Sequence, residues 1–467
     1  MARDYKREEE KELIKRFDEY LKNKKFSFFE LDDFIFIIDH YLEGGKLNKA
    51  LKICNMAIEQ YPFSIDLLLD KAQILINIEE YEEAMVYLDK ASNLQPNDVE
   101  ILLLKANILS LTGNYTEAIE IYESTLPLTE EKDEIYYHIG LTYQSLTQYE
   151  DAIKAYKQAI ELNLNNENAL YELAYCLDTI GELEGSISYY KKFIDADPYS
   201  HFAWYNLGIV FNKLEKYEEA IHAYEYAILI DEGFASAHFN MGNSYMELER
   251  FQEALNSYKQ TLEQEGPSAE IYFCLGAVYE KIEQFELAIK YYRKAVKLDT
   301  MYDEALFGIG MCLNKQDKWY ESIHFLNKAL KLDPENHFYW QAVAEAEFKT
   351  GNILSSLDAY EEACSLDPGN INIWLDWSFI PYDQGHFEKA IELIFNAIEE
   401  LPEASELYYR ATAYLIAAGK YKEAFKYLEN ALVLNFDNHQ MLFEFFPRLE
   451  TQKALFKIID QYRKENS

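Results

Sequence analysis

The side chains of this chain able to act as nucleophiles, metal ligands or general acids and bases are five cysteines, nine histidines and 82 carboxylates. Their spacing argues against each of those roles. Cys54, Cys176, Cys274, Cys312 and Cys364 are scattered and form no CxxC pair, so neither a zinc site nor a redox couple is written into them. Buried free thiols in a reducing cytosol fit an odd number of separated cysteines. The histidines lie far apart, without ligand spacing. No GxSxG, HExxH, GxGxxG or P-loop pattern occurs, and in Gly308-Ile309-Gly310, the nearest approach to a glycine loop, Gly310 belongs to a packing pattern described below. Among so many carboxylates close pairs arise by chance, and a catalytic role requires a converging site. The expectation is no enzyme: no catalytic residue, no metal and no cofactor.

Charge narrows the partners. The formal net charge is −38, which excludes a general affinity for nucleic acid, whose phosphates require clustered Lys and Arg. It equally disfavours an anionic membrane surface. The acidity resides in the body: residues 31–438 carry 30 Lys/Arg against 70 Asp/Glu, whereas residues 1–30 and 439–467 are close to balanced. The opening MARDYKREEEKELIKRF has no apolar run of a signal peptide. No stretch reaches the roughly 18 apolar residues of a membrane span, since FIFII at 34–38 is flanked by Asp33 and Asp39. A cytoplasmic protein without membrane insertion is expected.

A different kind of residue does recur at a fixed spacing. Aromatic side chains return every 34 residues at Tyr137, Tyr171, Tyr205, Phe239, Phe273 and Phe307. With His201 as position 1, successive repeats begin at Leu31, Ile65, Val99, Asp133, Glu167, His201, Ala235, Ala269, Asp303, His337, Ile371 and Ser405, twelve repeats without insertion or deletion. Position 20 is Ala or Ser in all twelve. Position 8 is Gly or Ala except at Ile38, Ser378 and Thr412, and position 27 is Ala except at Thr125, Phe193 and Thr261. Positions 4, 7, 8 and 11 share one face of a first helix, and 20, 24, 27 and 28 one face of a second. Small residues at 8 and 20 let these helices approach while aromatics fill the surroundings. Six glycines at position 15, Gly45, Gly113, Gly181, Gly351, Gly385 and Gly419, predict a left-handed C-cap for the first helix. Six prolines at position 32, Pro62 to Pro402, separate one repeat from the next.

In repeat 6 the pattern reads Trp204, Leu207, Gly208, Phe211, Ala220, Tyr224 and Ala227, with Glu232 where a proline would close it. This resembles the tetratricopeptide signature W-x2-L-G-x2-Y, A-x3-F, A and P. The resemblance covers 408 of 467 residues. It implies an all-α, right-handed superhelical solenoid of helix-turn-helix repeats, in which no repeat buries its apolar face alone. The expected organisation is an N-terminal amphipathic cap over 1–30, twelve repeats over 31–438 and C-terminal capping helices over 439–467. Leu13, Phe17, Tyr20 and Leu21 suggest the first cap, with Ser27 and Glu30 spaced as a capping box. Leu442, Phe445, Leu449, Leu455, Ile459 and Tyr462 mark the last helices, and Lys453, Lys457, Asp460 and Lys464 their polar face.

The resemblance also implies where a partner docks. In the family, positions 2, 5, 9, 12 and 13 of the first helices face a bound peptide. Position 5 then supplies the aromatic ladder Tyr137, Tyr171, Tyr205, Phe239, Phe273 and Phe307, able to stack on an extended segment or a helix. Position 13 supplies Lys213, Lys281, Lys315 and Lys349, which also complement the helix dipole, and Asn206 and Asn240 offer amides at position 6. No lysine occupies position 2 or 5, so the two-carboxylate clamp for heat-shock chaperone tails is missing. Pro381, inside a first helix beside Trp374 and Trp377 and one repeat beyond Trp340, predicts a kink or a shortened helix. The expected function is a scaffold or adaptor binding another protein or a peptide in its concave groove. Two alternatives stand beside it: a peptide-responsive regulatory receptor, and a structural subunit using its acidic outer face. Partner identity and self-association stay open.

Overall fold

The computed structural model describes residues 12–20, 29–445 and 453–466, and every regular element among them is a helix. Two compact halves divide the chain, Met1–Glu232 and Gly233–Ser467, each a stack of helix pairs; at the C-terminal end His439–Phe445 packs on Ser405–Ala417 and Lys453–Asn466 on Tyr421–Leu434. The 34-residue period sets the helix starts. First helices begin at position 1 in eleven repeats, and Lys132–Ser145 starts one residue earlier. Second helices begin at position 17, from Leu47–Gln60 to Tyr421–Leu434. Repeat 5 differs: its second helix opens as a 3-10 turn, Leu183–Ser186, before continuing as Ile187–Ala196.

Each first helix ends in the same way. All twelve residues at position 15 have φ between +56° and +85°. The following backbone N–H then returns to the carbonyl five residues earlier, as in Lys46 N to Tyr41 O at 2.8 Å and Lys216 N to Phe211 O at 2.9 Å. Glycine accepts this conformation freely. Glu79, Thr147, Glu215, Glu249, Glu283 and Asp317 adopt it with a side chain, at a cost of about 1–2 kcal/mol each.

Packing within a repeat is a fitted pair. All twelve residues at position 20 are fully buried. Where position 8 is glycine, the ring or branch at position 24 lies directly over it. A Cβ added to Gly140, Gly208, Gly242 or Gly276 would stand 2.4–2.7 Å from a ring atom of Tyr156, Tyr224, Tyr258 or Tyr292. Repeat 1 keeps the volume constant by exchanging the two, with Ile38 at position 8 and Cys54 at position 24, both fully buried. Where position 20 is serine in repeats 9 and 10, its hydroxyl donates to the carbonyl at position 8: Ser322 to Gly310 at 2.8 Å and Ser356 to Ala344 at 2.6 Å.

The prolines at position 32 do more than stop helices. Four of the six carbonyls accept a hydrogen bond from the aromatic at position 4 of the next repeat. Trp204 Nε1 donates to Pro198 O at 3.1 Å, Trp340 to Pro334 and Trp374 to Pro368 at 2.9 Å, and Tyr408 Oη to Pro402 O at 3.0 Å. Each bond ties the entry of one repeat to the exit of the previous one.

Two expectations need adjustment. The helix carrying Pro381 runs Ile371–Asp383, 13 residues like its neighbours, so it is not shortened. Proline there removes one hydrogen bond in the last turn only, and the cap at Gly385 and burial of the pyrrolidine hold that turn. Trp374 is buried, its ring centroid 5.6 Å from that of Trp377, so it fills the core. The capping box at the first repeat uses Glu30 and Asp33, with Glu30 N donating to Asp33 Oδ2 at 3.1 Å. Ser27 lies outside the described residues, as do Leu21, Leu449 and the side chains of Phe445 and Lys453. In helix 12–20, Phe17 is fully buried against Phe29 and Phe34, with Leu13 and Tyr20 packed around it. Toward the C-terminus Leu442, Leu455 and Ile459 are buried and Tyr462 packs on Phe436, while Lys457, Asp460 and Lys464 are exposed.

Candidate groove site at repeats 5 and 6

Position 5 places an aromatic one turn before position 8, so its ring can lean on whatever lies over position 8. In the N-terminal half Tyr137 leans on Tyr156 with centroids 6.1 Å apart, and Tyr205 on Tyr224 at 5.9 Å. In the C-terminal half Phe239 leans on Tyr258 at 5.7 Å, Phe273 on Tyr292 at 5.6 Å and on Tyr302 at 5.1 Å, and Phe307 stacks on Tyr339 at 4.7 Å. These five rings are half-buried, with one face committed to the stack. Beneath three of them the position-24 phenols are anchored. Tyr156 Oη donates to Gln144 Oε1 at 2.7 Å, Tyr258 to Asn243 Oδ1 and Tyr292 to Glu280 Oε2 at 2.6 Å. Burial pushes the pKa of all three phenols up, so they are neutral donors.

Tyr171 is the exception. It is 51% exposed, and among the described residues it meets no other ring and its hydroxyl makes no hydrogen bond. One turn along the same helix, Tyr175 is 48% exposed with an equally unbonded hydroxyl. Both line a pocket of about 120 Å³ with Asp178, Leu183 and Tyr190 of repeat 5 and Asn206, Ile209, Val210 and Lys213 of repeat 6. Asn206 is half-buried, and its amide makes no hydrogen bond within the chain. The pocket thus joins two aromatic faces, two free hydroxyls and a free amide beside an ion pair.

That ion pair revises the lysine stripe. Lys213 is bound to the Asp178 carboxylate of the preceding repeat, so its charge is already compensated. Lys281 and Lys315 are exposed at the ends of their helices, and Lys349 reaches over Trp319, its Nζ 6.0 Å from the ring centroid. Asn240 is half-buried, and its backbone carbonyl accepts from the Ser244 hydroxyl at 3.2 Å. Of the twelve residues read from the sequence as groove contacts, Tyr171, Asn206 and Lys213 come together in one pocket. Tyr175 and Asp178 join them unforeseen, although they occupy positions 9 and 12, which the family pattern assigns to the groove.

Other polar groups are structural in their surroundings. Cys54, Cys176 and Cys274 have thiols pushed up to about 12, and Cys364 to about 11, in each case chiefly by burial. Such thiols remain protonated and weakly nucleophilic, and all five are free. Among the described residues no group of three or more His, Cys, Asp or Glu is arranged to hold a metal ion. No described helix is long and apolar enough to cross a membrane.

Comparison with known proteins gives repeat-family matches along most of the chain. Models described as tetratricopeptide repeat match residues 41–108, 137–201, 201–234, 239–300 and 278–337. One described as anaphase-promoting complex, cyclosome, subunit 3 matches residues 77–159. Among solved structures, YrrB, described as a TPR protein with an unusual peptide-binding site, is 23% identical over 39% of this chain and 95% of its own, with a TM-score of 0.35. The APC/C hetero-tetramer Cut9–Hcn1 contains a chain 14% identical over 85% of this chain and 90% of that one, with a TM-score of 0.40. MamA is 21% identical over 35% and 95%, with a TM-score of 0.33. No curated protein matches this chain.

Proposed function

The chain belongs to the tetratricopeptide repeat family, whose members mediate protein–protein interactions, and from that premise we propose that it is a non-catalytic scaffold holding a segment of a partner protein against the first helices of its repeats. The contact set is Tyr137, Tyr171, Tyr205, Asn206, Lys213, Phe239, Asn240, Phe273, Lys281, Phe307, Lys315 and Lys349, centred on repeats 5 and 6. The observation that carries this reading is the pocket where Tyr171, Tyr175 and Asn206 present polar groups with no bond inside the chain. An extended peptide brings backbone donors and acceptors at regular intervals, which an amide and two phenols can meet, while the ring faces cover its side chains. The remaining positions add weak, periodic contacts on a preorganised surface, and their sum sets the affinity. A cytoplasmic setting is part of the proposal, supported by five unpaired thiols.

The test is affinity purification with mass spectrometry on wild type beside Tyr171→Ala/Asn206→Ala. Neither side chain makes an internal hydrogen bond, so the variant should match wild type in helicity and melting. Selective loss of a partner is the expected result. An unchanged partner set would sink the groove reading.

A further inference from the structure

A second cavity lies on the opposite side of the same helix. Within His201–Lys213, Asn206, Ile209, Val210 and Lys213 line the groove pocket, whereas Trp204, Leu207 and Phe211 line a larger one of about 350 Å³. At 100° per residue the centres of the two sets lie roughly 140° apart. The larger cavity is closed by Ile194 from the preceding helix and by Ala223 and Tyr226 from the following one. Its walls are apolar and fixed. The Trp204 indole stacks on Tyr226 with centroids 4.4 Å apart and planes at 23°, and its N–H is held by Pro198 O.

The cavity sits where the repeat pattern is broken. Position 27 is a buried phenyl, Phe193, where nine repeats carry a methyl, and the same helix opens with the 3-10 turn at Leu183–Ser186. At the mouth stand Asp195 and Glu219, both exposed, and neither carboxylate has a hydrogen bond or ion pair among the described residues. Lys191, equally unpaired, offsets one of them, and the His222 imidazole turns to Glu225 at 3.2 Å. The mouth therefore keeps a negative charge, in a protein whose formal net charge of −38 steers cations toward it.

We propose that this cavity receives one apolar side chain of a partner segment that carries a lysine or arginine about one helical turn away, the cation pairing with Asp195 and Glu219. The apolar anchor fills a volume at the lower end of ligand pockets, and the basic residue lays its alkyl stem along Tyr226 with its head at the carboxylates. This surface is separate from the groove, so the two readings stand or fall independently.

The probes are phenethylammonium, which joins a ring to a cation, and 3-phenylpropionate, which joins a similar ring to an anion. Binding is followed by ligand-observed NMR, and by the Trp204 indole resonance, assigned with Trp204→Phe. The cation should bind wild type with a Kd of about 1–10 mM and shift the Trp204 indole. Its affinity should fall at least fivefold in Asp195→Asn/Glu219→Gln, two surface changes that leave the core intact. It should be lost in Ala223→Trp, which fills the cavity, and be unchanged in Tyr171→Ala/Asn206→Ala. Alanine-based helical peptides with Phe at i should bind more tightly with Arg than with Glu at i+4. Equal binding of the anion, an unmoved Trp204 indole at saturation, or preference for the Glu peptide would each overturn the proposal.

Discussion

Repeat 5 of the N-terminal half and repeat 8 of the C-terminal half carry the same elements at the same positions: an aromatic at position 5 and a tyrosine at position 24. They differ at position 8, which is Ala174 in one and Gly276 in the other, and repeat 5 also carries Phe193 at position 27 and the 3-10 turn Leu183–Ser186. Over Gly276 the Tyr292 ring settles against bare backbone, and Phe273 leans on it with centroids 5.6 Å apart. In repeat 5 the Ala174 methyl occupies that space, Tyr171 finds no ring to lean on, and it is presented to solvent. Each of the four repeats with glycine at position 8, tyrosine at 24 and an aromatic at 5 makes the ring contact. Glycine at position 8 thus goes with a position-5 aromatic packed on its neighbour, and alanine in repeat 5 with an exposed one.

Making repeat 8 resemble repeat 5 should give the largest effect. Gly276→Ala places a Cβ 2.6 Å from Tyr292 Cδ1, and the overpacking should cost about 1–3 kcal/mol even against the gain in helix propensity. Chemical denaturation measures the loss, and nitration of tyrosines should detect the displaced Tyr292. Wild-type stability in this variant would show that the ring is free to move and that the comparison is wrong.

A second contrast sets Asp70 of repeat 2 against Asp376 of repeat 11, both at position 6. Burial first, and then Asp39, Asp66 and Glu100, push the Asp70 carboxyl up to about 7. Burial also raises Asp376, but the Gln341 amide and the Arg410 charge act in the other direction. An acid whose folded pKa exceeds its unfolded value of about 3.9 binds more protons when folded between the two. Stability from Asp70 should therefore be greatest below about pH 4 and be lost as pH rises through about 7. Asp70→Asn should remove that slope and be more stable than wild type at pH 8 by about 1–2 kcal/mol, after allowance for solvent screening. Melting temperatures measured from pH 5 to 8 would decide; parallel curves for the two proteins would exclude the effect.

The smallest change in stability is expected from the reverse exchange. Ala174→Gly makes repeat 5 resemble repeat 8, trading about 0.5–1 kcal/mol of helix propensity for a ring contact between Tyr171 and Tyr190. Stability should move by less than about 1 kcal/mol, while nitration of Tyr171 slows. An unaltered nitration rate would mean that exposure of Tyr171 has another cause.

The sequence alone determined the period, the helix starts, the small residues at positions 8 and 20 and the left-handed turn at position 15. All of these follow from geometry inside one repeat. Turning 100° per residue puts positions 8 and 11 on a known face, and a chain reversal after each first helix requires positive φ, whether the residue is Gly45 or Thr147. The tertiary structure decided what passes between repeats. Lys213 looked like one member of a free stripe, and its pairing with Asp178 appears only when two first helices lie side by side. The Trp204 bond to Pro198, the cavity beside Trp204 and the open face of Tyr171 depend on which side chain fills which volume. Close packing resolves such choices at the scale of a single methyl group, and a pattern of apolar and small residues does not carry that resolution.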